Sequence, residues 1–144
     1  MGTRRKAREW TVQLLFRFDL NPPDDMDAVF AEFWVENRAS PGTRVFTERL
    51  TRGAWDRREE SDEVIRKYAE NWGVERMGRV ERSVMRMCLY EMLHCQDIPP
   101  VVSINEAVDL AKYYSTSEAG RFVNGLLDRI RKSLDRPARD AAAP

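Results

Sequence analysis

The sequence predicts an all-α domain of about seven helices, and three observations lead to that prediction. Apolar residues recur at the 3.6-residue spacing of an amphipathic helix almost throughout the chain. No segment alternates polar and apolar residues for long enough to indicate a β-strand. The breaks between the apolar stripes are short, as connections in helical bundles are. With 144 residues, the chain is long enough to bury one hydrophobic core.

The first four helices are predicted from apolar stripes that end at turn-forming residues. These stripes run over Ala7–Phe18, Met26–Trp34, Phe46–Ala54 and Val64–Trp72. The segment "NPPDD" separates the first two stripes, and its aspartates can cap the second helix. The segment "SPG" ends the second stripe. Ser61 is expected to cap the fourth helix, and Gly73 is expected to end it.

The last three helices differ in how much of their surface is apolar. The segment from Arg79 to Cys95 is apolar on most sides, which is typical of a helix at the centre of a bundle. Ser103 and Glu106 match a capping box, so we expect the sixth helix to open there, after "DIPP". The seventh helix is expected to start near Ser117 and to bury an apolar stripe that ends at Leu134.

The composition bears on domain organisation and on where the protein works. We expect residues 1–136 to form one domain and residues 137–144 to form a disordered tail, which has almost nothing to bury. Cys88 and Cys95 would lie roughly 10 Å apart in one helix, too far for a disulfide, and reduced thiols are typical of intracellular proteins. The sequence has no secretory signal and no apolar run of the roughly 20 residues that a membrane span needs. We therefore expect a cytoplasmic protein without membrane contact.

Residues suited to catalysis or metal binding are scarce. The one histidine, His94, is expected to be a solvated residue near the end of the fifth helix. A zinc site needs three or four ligands at a readable spacing, and none can be assembled. No glycine-rich phosphate loop is present. Glu91 is the one carboxylate flagged as buried, with a nearby arginine as its expected partner. We predict no enzyme activity, no metal and no cofactor.

The first helix places an aromatic residue among charged ones. The chain is neutral as a whole, but basic residues concentrate near its start, in "RRKAREWTVQLLF". The apolar stripe of this helix centres on Leu14, whereas Arg5, Arg8, Val12 and Phe16 fall on the side away from it. Basic side chains bind phosphates, and an aromatic ring among them can stack on a base. The alternative is that Phe16 packs against another helix that covers this side.

The segment "SEAGRFVNGLLD" allows the same two interpretations. Phe122 lies about 100° from the buried stripe that begins at Val123, and Arg121 points further outward. The free N–H groups at a helix start favour anions. Arg121 and Phe122 could therefore hold a phosphate and a base. The alternative is that Phe122 only seals the rim of the core.

Several motifs occur together in an order that is typical of one protein family. The start fits the pattern RRKARExxxQxLF, and "RVERSVMRMCLYEM", "DIPPVVSINEAVDLAK" and "RFVNGLLDRI" follow it in the second half. In order and spacing these motifs resemble the NusB family of bacterial transcription antitermination factors. The similarity covers most of the chain and is weakest between about Asn21 and Ser61. It implies an all-helical fold, a compact bundle made of two small helical subdomains.

The resemblance also implies partners. Members of the family bind the boxA element of nascent ribosomal RNA leader transcripts together with the small-subunit ribosomal protein NusE. The resulting complex helps RNA polymerase to read through terminators. Some members pair as homodimers, so a homodimer is a further partnership that the resemblance allows.

The resemblance further implies which residues contact each partner. The RNA-contacting positions of the family are matched here by Arg4, Arg5, Lys6, Arg8, Phe16, Glu118, Arg121 and Phe122. Glu75 and Glu81 match positions expected on the NusE side. Two features depart from the family pattern. Phe16 stands where tyrosine is usual, so one hydrogen bond to RNA is expected to be absent while stacking remains. The segment "KYYSTSE" replaces the more usual Phe-Gly before the last helix, so the resemblance does not predict the shape of that loop.

Three functional hypotheses follow. The first is an RNA-binding antitermination factor, which the basic and aromatic face of the first helix favours. The second is the helical RNA-binding module of a ribosomal RNA cytosine methyltransferase. That hypothesis needs a truncated chain, because 144 residues leave no room for a methyl-donor domain. The third is a helical adaptor that binds only protein, which the near-neutral charge favours slightly.

Overall fold

The computed structural model describes residues 3–69 and 77–134, and these residues form seven α-helices. The helices are α1 (Thr3–Leu20), α2 (Met26–Glu36), α3 (Pro41–Asp56), α4 (Arg58–Tyr68), α5 (Arg79–His94), α6 (Pro100–Tyr114) and α7 (Ser117–Ser133). No strand occurs within the described residues, and the all-α prediction is confirmed. The predicted stop at Gly73, the candidate residue Glu75 and the tail at 137–144 lie outside the described residues.

The helices pack in two groups that meet at α5. In the first group α1 packs along α3, with α2 against α3, and in the second α6 packs along α7. Helix α5 contacts α1, α3, α4, α6 and α7. Its side chains Met85, Met87, Leu89 and Met92 are fully buried. The prediction that this segment is the central helix is confirmed.

Two helix starts differ from the capping signals in the sequence. Helix α4 begins at Arg58, so Ser61 lies buried inside the helix instead of capping it. Helix α6 begins at Pro100. Proline is favoured at the first helical position, because an N–H there has no partner within the helix and the φ angle of proline already suits a helix. Ser103 is therefore inside α6, and its hydroxyl donates to a carboxylate oxygen of Glu91 at 2.7 Å. The predicted capping box does not form.

Two ion-pair networks are buried between the helices. Arg8 of α1 donates two hydrogen bonds to Glu91 of α5, at 2.9 and 2.8 Å, so Glu91 is buried and paired as the sequence predicted. Burial lowers the pKa of Arg8, but the hydrogen bonds and charge of Glu91 outweigh burial and raise it. Arg86 of α5 pairs in the same way with Asp62 of α4, and it also reaches Asp19 of α1. These networks fix α1 and α4 against the central helix.

The chemistry of the thiols agrees with the sequence-based expectation. Cys88 and Cys95 are both free and fully buried. Burial raises the pKa of the Cys88 thiol well above its ordinary value, which keeps the thiol protonated and unreactive.

Among the described residues, none of the helices combines the length and the apolar character that a membrane span requires.

Candidate nucleic-acid interface

Arg5 and Lys6, near the start of α1, are accessible to solvent, but carboxylates already neutralise them. Arg5 contacts Glu106 at 2.6 Å and Asp109 at 2.9 Å. These contacts raise the pKa of Arg5, chiefly through the hydrogen bond to Glu106. Lys6 lies 3.6 Å from Glu9 and above the ring of Trp10. An RNA phosphate at this end of α1 would have to compete with these carboxylates.

Arg4 is the most exposed member of this basic group. Its guanidinium lies 4.3 Å from the ring centroid of Phe46, on α3. It is 3.8 Å from Asp97, which Arg49 already binds with two hydrogen bonds. About half of the Arg4 side chain remains accessible to solvent. Arg4 is therefore held over α3 but is free to accept a phosphate on its outer side.

Arg8 is not on the outer surface, and this part of the sequence interpretation is wrong. The helical periodicity of α1 puts Arg8 and Val12 on the side away from the apolar stripe, where exposure to solvent was expected. Both side chains are in fact only 3% exposed. The reason is that α5 and α6 cover this side of α1, which the periodicity of one helix cannot reveal. In this position Arg8 offers almost no surface to RNA, because it donates two hydrogen bonds to Glu91 and lies 3.9 Å from Glu106.

Phe16 lies in a shallow slot between α1, α5 and α6. It is half-buried, and the slot is also lined by Val12, Gln13, Val80 and Tyr114. The amide of Gln13 donates to the hydroxyl of Tyr114 at 2.9 Å and closes one end of the slot. Phe16 is not among the described residues that pack against the hydrophobic core. Its ring is therefore placed at the surface, beside other apolar groups.

Phe122 lies in a second pocket, where the start of α7 meets the start of α5. Glu118 and Glu81 line the same pocket, and Ser115 donates to Glu81 at 2.8 Å. Phe122 is half-buried and packs against the hydrophobic core. The structure thus brings Glu81, expected to face a protein partner, beside two residues expected to face RNA. This combination makes the pocket a place where two partners could meet.

Arg121 differs from the basic residues of α1. Its side chain is exposed, and it makes no ion pair or hydrogen bond with the residues that the structure describes. Helix α7 begins at Ser117, about one turn before Arg121, with the hydroxyl of Thr116 accepting from the N–H of Ala119 at 2.9 Å. An available guanidinium thus follows one turn after the positive end of the helix dipole, and both attract anions.

These features form one continuous face, which we call the α1–α6–α7 surface. Its residues are Arg5, Gln13, Phe16, Glu81, Tyr113, Tyr114, Glu118 and Phe122. Neighbouring parts are joined directly, since Gln13 bonds to Tyr114, Ser115 bonds to Glu81, and the rings of Tyr113 and Tyr114 pack edge to face at 5.0 Å. Aromatic rings with basic residues nearby are the usual elements of a single-stranded RNA site.

The sequence reasoning missed three residues of this surface. Gln13, Tyr113 and Tyr114 were not among the candidates, although two of them belong to the unusual segment "KYYSTSE". The end of α6, which carries the two tyrosines, lies next to Gln13 of α1, and this proximity depends on the tertiary packing. The signal in the sequence was a pair of adjacent tyrosines, since at most one of two neighbouring helical residues can point directly into the core.

The described residues show no cluster of side chains suited to metal binding. No group of three or more histidine, cysteine, aspartate or glutamate side chains in residues 3–69 and 77–134 is arranged to hold a metal ion. His94, expected to be solvated, is three-quarters buried and lies 2.6 Å from Glu60. Its ring also packs near that of Tyr90. His94 thus stabilises the contact between α4 and α5.

The fold and the surface together define a class: a small helical bundle with exposed aromatic residues beside basic ones. The family model described as the NusB family matches residues 5–132 of the chain. A transcription antitermination protein NusB of Symbiobacterium thermophilum is 42% identical over 139 residues, covering 92% of this chain and 91% of the relative. The NusB of Desulforapulum autotrophicum is 44% identical over 140 residues, covering 94% and 97%. The chain belongs to the NusB family.

Solved structures support the same assignment. T. maritima NusB superposes with a TM-score of 0.81 at 34% identity, and the match covers 95% of this chain and 94% of that one. A structure of the antitermination factors NusB and NusE in complex with dsRNA contains a chain that matches with a TM-score of 0.82 at 30% identity. That match covers 93% of this chain and 99% of the other. The compact seven-helix arrangement is therefore the NusB fold.

Proposed function

We propose that this protein is a bacterial transcription antitermination factor that binds boxA RNA of ribosomal RNA leader transcripts together with NusE. The observation that supports this most is the similarity, over nearly the whole chain, to a structure of NusB and NusE in complex with dsRNA. The relatives at 42% and 44% identity are transcription antitermination proteins. The α1–α6–α7 surface supplies a face on which an RNA strand can bind.

At the level of residues, we propose that aromatic and basic side chains have separate roles. Phe16 and Phe122 stack on bases, since both are half-buried rings that line open pockets. Arg121 and Arg4 bind phosphates first, because both keep an accessible guanidinium. Arg5 and Lys6 bind phosphates only as they leave their carboxylates. Glu118 lies beside Phe122 and can accept hydrogen bonds from the amino groups of a base.

The protein partner is proposed to approach from the α5 side of the same surface. Glu81 lies beside Phe122 and is fixed by Ser115, so a NusE contact here would also bury the edge of the RNA site. Glu75 is proposed for the same side and lies outside the described residues. Such a shared pocket explains how two partners could strengthen each other's binding.

The remaining proposals concern the setting of the function. The complex with RNA and NusE acts on RNA polymerase and helps it to read through terminators. Because bacterial transcripts are made in the cytoplasm, the proposed function places the protein there. A homodimer is a further proposal, which light scattering of the free protein can test. We propose that the protein itself is not an enzyme and acts by binding alone.

A titration separates the proposed function from its alternatives. Fluorescently labelled boxA RNA and a scrambled RNA of equal length are titrated with the protein, with and without purified NusE. We expect the boxA RNA to bind more tightly than the scrambled RNA, and NusE to increase the difference. A helical adaptor would bind NusE and neither RNA. Equal affinity for the two RNAs would indicate non-specific binding by the basic residues.

A further inference from the structure

We propose that Lys112 and Tyr113 form an additional nucleotide subsite, in which the Tyr113 ring stacks on a base and Lys112 binds the adjoining phosphate. This inference rests on the proposed RNA binding and extends it beyond Phe16 and Phe122. Tyr113 is 76% exposed, and it is the one aromatic residue among the exposed large hydrophobic side chains of the described residues. A tyrosine ring so open to water contributes little to the core and is available to stack on a base.

The ring of Tyr113 is held in a defined orientation despite its exposure. It packs edge to face on Tyr114, with ring centroids 5.0 Å apart and planes 72° apart. Tyr114 is itself fixed by the hydrogen bond from Gln13. One face of the Tyr113 ring remains accessible. When the orientation of a ring is already fixed, less conformational entropy is lost as a base stacks on it, and binding is more favourable.

Lys112 is placed by its neighbour on α7. The position that a Cβ of residue 120 would occupy lies 2.5 Å from Cγ of Lys112, and Gly120 is buried under this side chain. The absence of a side chain at Gly120 thus lets the stem of Lys112 cross α7. Lys112 also lines the cavity beside Tyr113. No ion pair of Lys112 with another described residue occurs.

Lys112 and Tyr113 line a cavity of about 540 Å³ with Arg5, Glu9, Asp109 and Leu110. This volume is within the roughly 300–1,000 Å³ that is usual for small-molecule sites. The cavity adjoins the Phe16 slot through Tyr114, so a strand on Phe16 would continue over Tyr113. Two cations and two carboxylates line the cavity, and Arg5 is already paired with Asp109, so Lys112 is the cation that is available to a phosphate. An exposed ring beside an available cation fits a nucleotide better than it fits a purely apolar side chain, which favours an RNA strand as the occupant.

The test compares four variants with the wild type on boxA RNA of one length. Tyr113→Ala is expected to weaken binding about tenfold, the size of one lost stacked base. Tyr113→Phe keeps the ring and should bind like the wild type. Val35→Ala removes an exposed apolar side chain from α2, far from the site, and serves as the matched control. Lys112→Gln keeps most of the stem over Gly120 and should lower the salt slope by about 0.7.

Shortening the RNA identifies the stacked base. The boxA RNA is trimmed by one nucleotide at a time from each end, and both the wild type and Tyr113→Ala are titrated. At one length the wild type should lose affinity, whereas the variant should not, because its platform is already missing. If the wild type binds boxA RNA and Tyr113→Ala binds equally well at every length, the subsite is absent but the proposed function stands. If the wild type does not bind boxA RNA at all, both proposals fail.

Discussion

The starts of α1 and α7 both carry basic residues, but only one of them offers an unpaired charge. At the start of α1, Arg5 and Arg8 are paired with carboxylates of α5 and α6. At the start of α7, Arg121 is exposed and unpaired within the described residues. The count of basic residues favours α1 as the anion-binding end, whereas the available charge favours α7. Formal charge therefore does not measure how strongly a segment can bind phosphate.

The comparison also separates residues that build the surface from residues that use it. Arg8 is buried and holds α1 against α5, so it stabilises the fold that presents Phe16. Arg121 is exposed at the edge of the bundle and contributes little to stability. Substitutions at the two ends should therefore act on different measurable quantities, namely the free energy of unfolding and the RNA affinity.

The largest expected effect is that of Arg8→Ala on stability. The substitution leaves the Glu91 carboxylate buried without its cationic partner, which typically costs about 3–5 kcal/mol. Thermal unfolding followed by circular dichroism should show a melting temperature about 10 °C or more below that of the wild type. RNA affinity, measured at a temperature where the variant is still folded, should change much less.

A double variant is the control for this prediction. Replacing Arg8 and Glu91 together by methionine removes both charges and keeps most of the volume, and such replacements are often close to neutral. We expect R8M/E91M to be more stable than Arg8→Ala. If Arg8→Ala folds as stably as the wild type and loses RNA binding, Arg8 is an RNA contact after all, and the assignment made from its burial is wrong.

The next largest effects are expected at the two phenylalanines. Phe16→Ala should weaken boxA binding by about 1–3 kcal/mol with little change in stability, because the ring does not pack against the described core. Phe122→Ala should weaken binding by a similar amount and should also lower stability, because its ring does pack there. Its stability loss should stay below the roughly 3–5 kcal/mol of a fully buried phenylalanine.

Melting curves and RNA titrations on the same samples distinguish these outcomes. Phe16→Tyr is a useful companion, since it keeps the ring and restores the hydroxyl that is usual in the family. It should bind at least as tightly as the wild type. A Phe16→Ala protein that melts much lower but binds RNA normally would mean that the ring serves packing.

Most of the fold could be predicted from the sequence, because helices are local. The spacing of apolar residues predicted the approximate positions of the seven described helices. It also identified α5 as the central helix, because that helix is apolar on most sides. The predicted starts at Ser61 and Ser103 were wrong for a physical reason. Capping patterns also occur inside helices, and at Ser103 the hydroxyl serves Glu91 across the interface with α5. Local patterns cannot reveal such a partner.

Less of the candidate surface could be predicted, because it depends on which helices cover which faces. The periodicity of α1 alone cannot show that neighbouring helices cover Val12 and Arg8 while Phe16 stays at the surface. The same limit hid the contact between Gln13 and Tyr114, which are 101 residues apart in the chain. The roles of the eight RNA-binding candidates remain predictions. For Arg8, the observed burial argues for a structural role in the ion pair with Glu91.

A smaller effect is expected on the salt dependence of RNA binding, which should differ between variants of Arg121 and Arg5. Arg121→Ala removes an unpaired cation, so the slope of log K against log salt should fall by about 0.7, the value for one phosphate contact of a single strand. Arg5→Ala should leave the slope nearly unchanged. When Arg5 moves to a phosphate, the vacated carboxylates of Glu106 and Asp109 recruit cations, and the net release of ions is close to zero. Titrations at four salt concentrations measure both slopes. Equal slopes for the two variants would mean that pairing within the protein does not determine which charge is available.

The smallest expected effect concerns acid stability at Asp97, beside the start of α1. Hydrogen bonds from Arg49 lower the pKa of Asp97 to about 2. Because the pKa in the folded state lies below the unfolded value, the paired carboxylate stabilises the protein above about pH 4, and this stabilisation is lost as the pH falls towards 2. Asp97→Asn should therefore lower the melting temperature slightly at pH 6 and by less at pH 2, where about half of the Asp97 carboxyls in the folded protein are protonated. The change stays small because nearly half of the Asp97 side chain is exposed to screening solvent. A difference between variant and wild type that was equally large at pH 6 and at pH 2 would assign the loss to packing instead of to charge.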